Sequence, residues 1–199
     1  FGDKMLAEQM LLWKAHLSMG ELAKICGEED IYSERASVLK EQIDRDFANS
    51  NGRLVLLGIL KGSVPFLAEL MKKIKSNPEI EFMKVSSYGS DTKSSGSIHI
   101  HLNLIRDDLP DTDVLVVEDI IDSGKTLSYL SEYLRINGAR SVRTCTLLDK
   151  PSRREVDFTS DYVGKTIPDE FVVGYGLDYQ EKYRALPYVG ILKREVYEK

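Results

Sequence analysis

Glu118, Asp119 and Asp122 stand directly ahead of Ser123-Gly124-Lys125-Thr126 in the stretch VLVVEDIIDSGKT, residues 114 to 126. A turn of small residues lets backbone N–H groups converge on a phosphate, and a helix amino terminus behind it favours the anion. Three carboxylates beside such a turn would repel the phosphate if they had nothing else to bind. Vicinal ribose hydroxyls and a divalent cation resolve the conflict, because carboxylates accept hydrogen bonds from the hydroxyls and Mg²⁺ takes hard oxygen ligands while bridging to a polyphosphate.

The flanking residues supply the scaffold for that chemistry. Val114 to Val117 is a short, continuous apolar run, suited to a strand buried on both faces of a parallel sheet. Leu127, Leu130 and Leu134 recur at helical spacing, and Asn137-Gly138 ends the helix. The turn therefore joins the carboxyl end of a strand to the amino end of a helix. Gly124-Lys125-Thr126 matches the end of a nucleotide-binding P-loop, but that pattern needs glycine where the chain has Asp119. Gly164-Lys165-Thr166 fails in the same way at Thr159.

Elsewhere the chain alternates strand and helix patterns. Ser33 is expected to cap a helix running to about Ala48, with Leu39, Ile43 and Phe47 on one face, closed by Asn49 to Gly52. Strands are expected over Leu54–Ile59, Ile80–Ser87, Val114–Glu118 and Val142–Leu148. Leu67, Leu70, Met71 and Ile74 mark a further helix. This alternation implies an α/β fold with a parallel sheet. SYGSDTKSSGSI, from Ser87 to Ile98, is too polar to build core and reads as a lid or as a solvent-exposed hairpin. The aromatic tail, Ile167 to Lys199, is strand-like and expected to pack with the amino-terminal segment.

A chain of 199 residues with 42 % hydrophobic content can bury one substantial core and is not disordered. Its apolar stretches are far too short to cross a bilayer, so a soluble, cytoplasmic protein without a membrane partner is expected. Cys26 and Cys145 are widely separated and read as reduced structural thiols. His99 and His101 share a strand face without a third ligand and read as structural or solvent-facing. A formal net charge of -5 argues against nucleic acid as a partner, though local cations can still hold an anionic substrate.

The motif VEDIIDSGKT resembles the phosphoribosyl-diphosphate motif of type I phosphoribosyltransferases. LKGS at 60–63, SSYG at 86–89, LLDK at 147–150 and IPDEFVVGYGLDY at 167–179 extend the resemblance to the hypoxanthine-guanine branch, from about residue 34 onward. The resemblance implies a single domain over 1–199, with a core of about 34–165 and a small hood from about 5–33 and 166–199. It implies that Glu118, Asp119, Asp122, Ser123, Gly124, Lys125 and Thr126 hold the ribose and its 5′-phosphate. Lys61, Gly62 and Arg184 would hold diphosphate, with a peptide before Lys61 that can be cis in the family. Lys150, Phe171, Val172 and Asp178 would hold the purine, and Ser87, Tyr88 and Gly89 would form the lid. Mg²⁺ is the implied cofactor, near Glu118, Asp119 and Asp178. The implied partners are phosphoribosyl diphosphate, a 6-oxopurine and diphosphate, in a homodimer or homotetramer. Glu181 and Lys182 read as solvated surface.

The implied reaction joins hypoxanthine or guanine to phosphoribosyl diphosphate, giving IMP or GMP and diphosphate, with Asp122 as acid/base. A xanthine-preferring or other transferase ranks lower, because xanthine brings a 2-oxo acceptor where guanine brings an amino donor. An RNA-binding regulator on the same fold is disfavoured by the acidic balance and the intact base-site motifs.

Overall fold

A computed structural model describes residues 31–48, 53–87, 98–104 and 106–197. In chain order its elements are α1 (Ile31–Asp46), β1 (Arg53–Ile59), α2 (Val64–Met71), β2 (Glu79–Ser87), β3 (Ile98–Leu102), β4 (Thr112–Ile121), α3 (Lys125–Ile136), β5 (Ser141–Asp149), β6 (Tyr162–Thr166), β7 (Val172–Val173), β8 (Gly190–Ile191) and α4 (Arg194–Tyr197). The main sheet runs β3-β2-β1-β4-β5-β6, and β7 pairs only with β8. All neighbours in the main sheet are parallel except β3, which lies antiparallel to β2.

The period-2 geometry of β1 and β4 divides the core into two layers. Leu56, Leu115 and Val117 face α1 and α2, where Leu39, Ile43, Phe66 and Leu70 pack. Val55, Leu57, Val114 and Val116 face α3, where Leu127, Leu130 and Leu134 pack. Burying each such side chain stabilises the fold by roughly 1.5–3 kcal/mol, which is why these strands read as unbroken apolar runs. Among the described residues no helix is long and apolar enough to cross a membrane.

β1 pairs with β2 on one side and β4 on the other, so the strand order reverses around it. At such a reversal the loops at the carboxyl ends of neighbouring strands diverge and leave a crevice. The loop after β1 begins with Leu60-Lys61-Gly62, and the end of β4 carries Glu118 to Ile121.

Several expectations need correction. Helix α1 already includes Ile31, so Ser33 lies within it and is not its cap. Met71 ends α2 on its exposed side, at 42 % exposure, while Ile74 is buried just beyond the helix. The expected parallel core is present from β2 to β6, and β3 adds an antiparallel edge along β2, with Ser87 opposite Ile98 as in the hairpin alternative. β6 has no counterpart among the expected strands. Its Gly164 lies against β5 so closely that a Cβ would stand 2.5 Å from the Leu147 carbonyl oxygen, which explains this glycine without any phosphate. Cys145 is a buried free thiol, and burial pushes its pKa up. Cys26, Asn49 to Gly52, Tyr88, Gly89 and the 5–30 part of the expected hood lie outside the described residues.

Candidate active site

Strand β4 is buried from Thr112 to Val117 and then emerges, delivering Glu118 and Asp119 to the edge of the core. Glu118 Oε2 is buried without a hydrogen-bond partner. Desolvation, reinforced by the neighbouring Asp119 charge, holds its carboxyl well above the usual range. Burial also pushes Asp119 up to about 6, against hydrogen bonds from backbone N–H groups; one comes from Ile120 to Asp119 Oδ1 at 2.7 Å. Two adjacent buried carboxylates that are costly to ionise suit a cation or sugar hydroxyls.

Gly62 gives Asp119 its space. A Cβ on Gly62 would fall 1.6 Å from Asp119 Oδ2, so no other residue fits there without moving the carboxylate. The Leu60–Lys61 peptide before it is cis. The 174–184 loop presses on the same turn: Gly176, at φ +101°, has room for no Cβ, which would meet the Gly62 carbonyl oxygen at 1.9 Å. Arg184 anchors that loop by donating from Nη1 to the Gly176 carbonyl at 2.7 Å, while Nη2 pairs with Asp178 at 2.8 Å. Its Nε is buried and unpartnered. Glu181, exposed as expected of solvated surface, also joins two cations of the site, at 3.0 Å from Lys61 Nζ and 3.3 Å from Arg184 Nη2. These cations, Lys61 first, hold the Glu181 carboxyl below its ordinary value.

Beyond β4, Ser123 and Gly124 turn the chain into α3. Gly124 takes the left-handed conformation at φ +80°. Glu118, Asp122, Ser123, Gly124 and Thr126 border a cleft of about 680 Å³. Lys125 does not border it, and its ammonium pairs with Glu155. A second cavity, of about 480 Å³, is bordered by Lys150, Phe171, Val172 and Asp178. Ile120, Asp122 and Arg153 border both. Lys150 is 7 % exposed, and its Nζ lies 3.7 Å from Asp122 Oδ1. Phe171 is steadied by Tyr179 edge-on at 5.6 Å and by Tyr197 stacked at 5.0 Å.

The structure thus brings Glu118, Asp122, Ser123, Gly124 and Thr126, but neither Asp119 nor Lys125, together along one cleft, and Lys150, Phe171, Val172 and Asp178 along another. Lys61, Gly62 and Arg184 form a third group around Asp119 and Asp178. Ser87 ends β2, and the rest of the expected lid falls outside the described residues. Among the described residues no three His, Cys, Asp or Glu side chains stand close enough to hold a metal alone. The orphaned Glu118 oxygen and the all-oxygen donors nevertheless fit a hard cation completed by water and substrate oxygens, the usual habit of Mg²⁺. His101 Nε2 instead bonds Ser86 Oγ at 2.7 Å. Ile120, Arg154, Glu181 and Tyr197 were not foreseen at the site. Ile120 could have been, since the two residues after the acidic pair continue the strand pattern at the cleft.

Residues 30–180 match the family described as "Phosphoribosyl transferase domain". A hypoxanthine-guanine phosphoribosyltransferase of Streptococcus mutans is 50 % identical over 174 residues, covering 85 % of this chain and 95 % of the relative. One of Streptococcus pyogenes is 46 % identical over 179 residues, covering 90 % and 98 %. The crystal structure of a hypoxanthine phosphoribosyltransferase from Staphylococcus aureus superposes with a TM-score of 0.80 at 46 % identity, over 86 % of this chain and 91 % of that one. With this agreement in sequence, fold and extent, the chain belongs to the hypoxanthine-guanine phosphoribosyltransferase family.

Proposed function

We propose that the protein transfers the phosphoribosyl group of phosphoribosyl diphosphate to hypoxanthine or guanine, forming IMP or GMP and diphosphate. The observation that carries this reading is the position of Asp122, which borders both the phosphate-loop cleft and the cavity of Lys150 and Phe171. A group transfer needs two substrates whose reacting atoms meet, and Asp122 stands at that meeting point.

In the proposed reaction, purine N9 bonds to ribose C1 as the bond from C1 to the diphosphate oxygen breaks. Positive charge builds on the ribose, so the carboxylates of Glu118 and Asp119 stabilise it while accepting hydrogen bonds from its hydroxyls. Asp122 exchanges the proton at purine N7, releasing the N9 lone pair for attack. Lys150 donates to the 6-oxo oxygen; adenine would offer it a donor, and the buried ammonium would go unsatisfied. Phe171 stacks on the base and Val172 meets its edge through the backbone. Ser123 to Thr126 hold the 5′-phosphate through N–H and hydroxyl groups. Lys61, Gly62 and Arg184 receive the leaving diphosphate, and closure of Ser87, Tyr88 and Gly89 excludes water. Mg²⁺, held near Glu118, Asp119 and Asp178 together with substrate oxygens, would neutralise the leaving group.

Supplying hypoxanthine, guanine, xanthine, adenine and orotate in turn, with phosphoribosyl diphosphate and Mg²⁺, tests the proposal by chromatography of the nucleotide products. Hypoxanthine and guanine should dominate. Preferred turnover of adenine or orotate would reject the base assignment.

A further inference from the structure

A loop that binds a phosphate through its N–H groups must turn its carbonyls elsewhere, and each turned-out carbonyl needs a partner of its own. Three consecutive carbonyls lead into the phosphate loop, and all three are tied to the segment that follows β5. Ile121 O accepts from Lys150 N at 3.0 Å, and Ser123 O accepts from Glu155 N at 3.0 Å and Val156 N at 3.4 Å. Those donors are backbone N–H groups, which almost any side chain would leave in place. The middle carbonyl, of Asp122, is held by a side chain: Arg154 Nη1 donates to it.

The same guanidinium is fixed at its other end. Arg154 Nη2 pairs with Asp149, and both side chains are only 15 % exposed. Asp149 lies opposite Ile121 across the β4–β5 ladder and opposite Thr166 across β5–β6, so its backbone belongs to the rigid sheet. The Arg154 stem fills the space under the turn, where a Cβ on Gly124 would stand 2.9 Å from Arg154 Cδ. A planar fork reaching a carboxylate on one side and a carbonyl on the other suits arginine and is beyond a lysine.

We infer that Arg154 is a positioning residue for transfer: it braces the Asp122 carbonyl against Asp149, which keeps the Asp122–Thr126 loop facing the phosphate and ties it to the strand end that carries Lys150. Arg154 also borders the cleft of the phosphate loop, and its assigned part is to position that loop. It makes one rigid body of the loop that holds the sugar phosphate and the residue that reads the base. The inference rests on Ser123 to Thr126 being the 5′-phosphate loop.

Arg154→Lys keeps a cation for Asp149 and so guards the fold, while losing the bridge. Steady-state kinetics and calorimetric titration with phosphoribosyl diphosphate and Mg²⁺ should show KM and Kd for that substrate raised about 10- to 100-fold, because small misplacement of a binding group has effects of that order. KM for hypoxanthine should move less than about two-fold on the same scale. Guanidinium at non-denaturing concentration should restore part of the loss in Arg154→Ala, provided circular dichroism shows that variant folded. Asp149→Asn, which keeps the carbonyl contact, should raise KM less than either. Wild-type KM for phosphoribosyl diphosphate in folded Arg154→Lys overturns the inference, as does an equal rise in both KM values without guanidinium rescue. Failure of the wild-type protein itself to bind phosphoribosyl diphosphate overturns the phosphate-loop reading, and is distinguishable because it precedes any comparison of variants.

Discussion

Asp119 is held in an ionisable state that costs stability. Its carboxyl is pushed from an ordinary value near 3.8 up to about 6, chiefly by burial. Between those two values the folded chain binds more protons at this site than the unfolded chain, so its contribution to stability falls as pH rises through about 6. A shift of this size corresponds to an order of magnitude of about 3 kcal/mol at neutral pH. Asp119→Asn keeps the acceptor for the Ile120 N–H and removes the charge. Melting temperatures should therefore favour the variant at pH 7 and converge towards pH 4, while its turnover collapses; a variant destabilised equally at every pH would contradict this account. Lys150 should separate base reading from sugar binding. Lys150→Ala should lower kcat/KM for hypoxanthine by about 10- to 100-fold, as expected for losing a charge-assisted hydrogen bond, and leave the Kd for phosphoribosyl diphosphate nearly unchanged. Lost phosphoribosyl diphosphate affinity with unchanged base preference would move Lys150 out of the purine site.

At the scale of elements, the site depends on a loop docked against a turn. Gly176→Ala would drive a Cβ onto the Gly62 carbonyl, a clash between two backbones that no rotamer can relieve. The expected outcome is a folded sheet with a loosened 174–184 loop: faster amide exchange at Gly176 and Leu177, little change in β1 and β4, and weaker diphosphate binding. Unchanged exchange in the loop would refute the docking role. This contact also marks where sequence reasoning ran out. β1, β4 and α3 were legible because burial on both faces leaves continuous apolar runs, and a helix must repeat its leucines. β3 and β6 were not, since edge strands are half-exposed and short; β3 carries only Ile98, Ile100 and Leu102 between histidines. The acidic pair and the small-residue turn after it announced themselves through residue type at a strand end, whereas Lys150 stood out only through the LLDK resemblance. Arg154 and Glu181 did not, because a charged side chain in a polar loop carries no periodicity, and only the fold reveals that Arg154 reaches back 32 residues to Asp122 and that Glu181 reaches 120 residues to Lys61.

For the molecule as a whole, a net charge of -5 is compatible with polyanionic substrates because Lys61, Lys125, Lys150 and Arg184 stand in the segments that follow β1, β4, β5 and β7. Each is paired: Lys61 with Glu181, Lys125 with Glu155, Lys150 with Asp122 and Arg184 with Asp178. Chelating Mg²⁺ should consequently abolish turnover, since these balanced pairs leave little free positive charge for a diphosphate; turnover that persists in excess EDTA would remove the cation from the proposal. The central claim is a transfer between two substrates that meet at Asp122. Phosphorus NMR of phosphoribosyl diphosphate, Mg²⁺ and hypoxanthine with the protein measures it directly. Nucleoside 5′-monophosphate and diphosphate should appear in equal amounts, with no ribose 5-phosphate, and omitting the base should leave phosphoribosyl diphosphate intact. Loss of phosphoribosyl diphosphate at the same rate with and without base, or release of diphosphate without nucleotide, would contradict it.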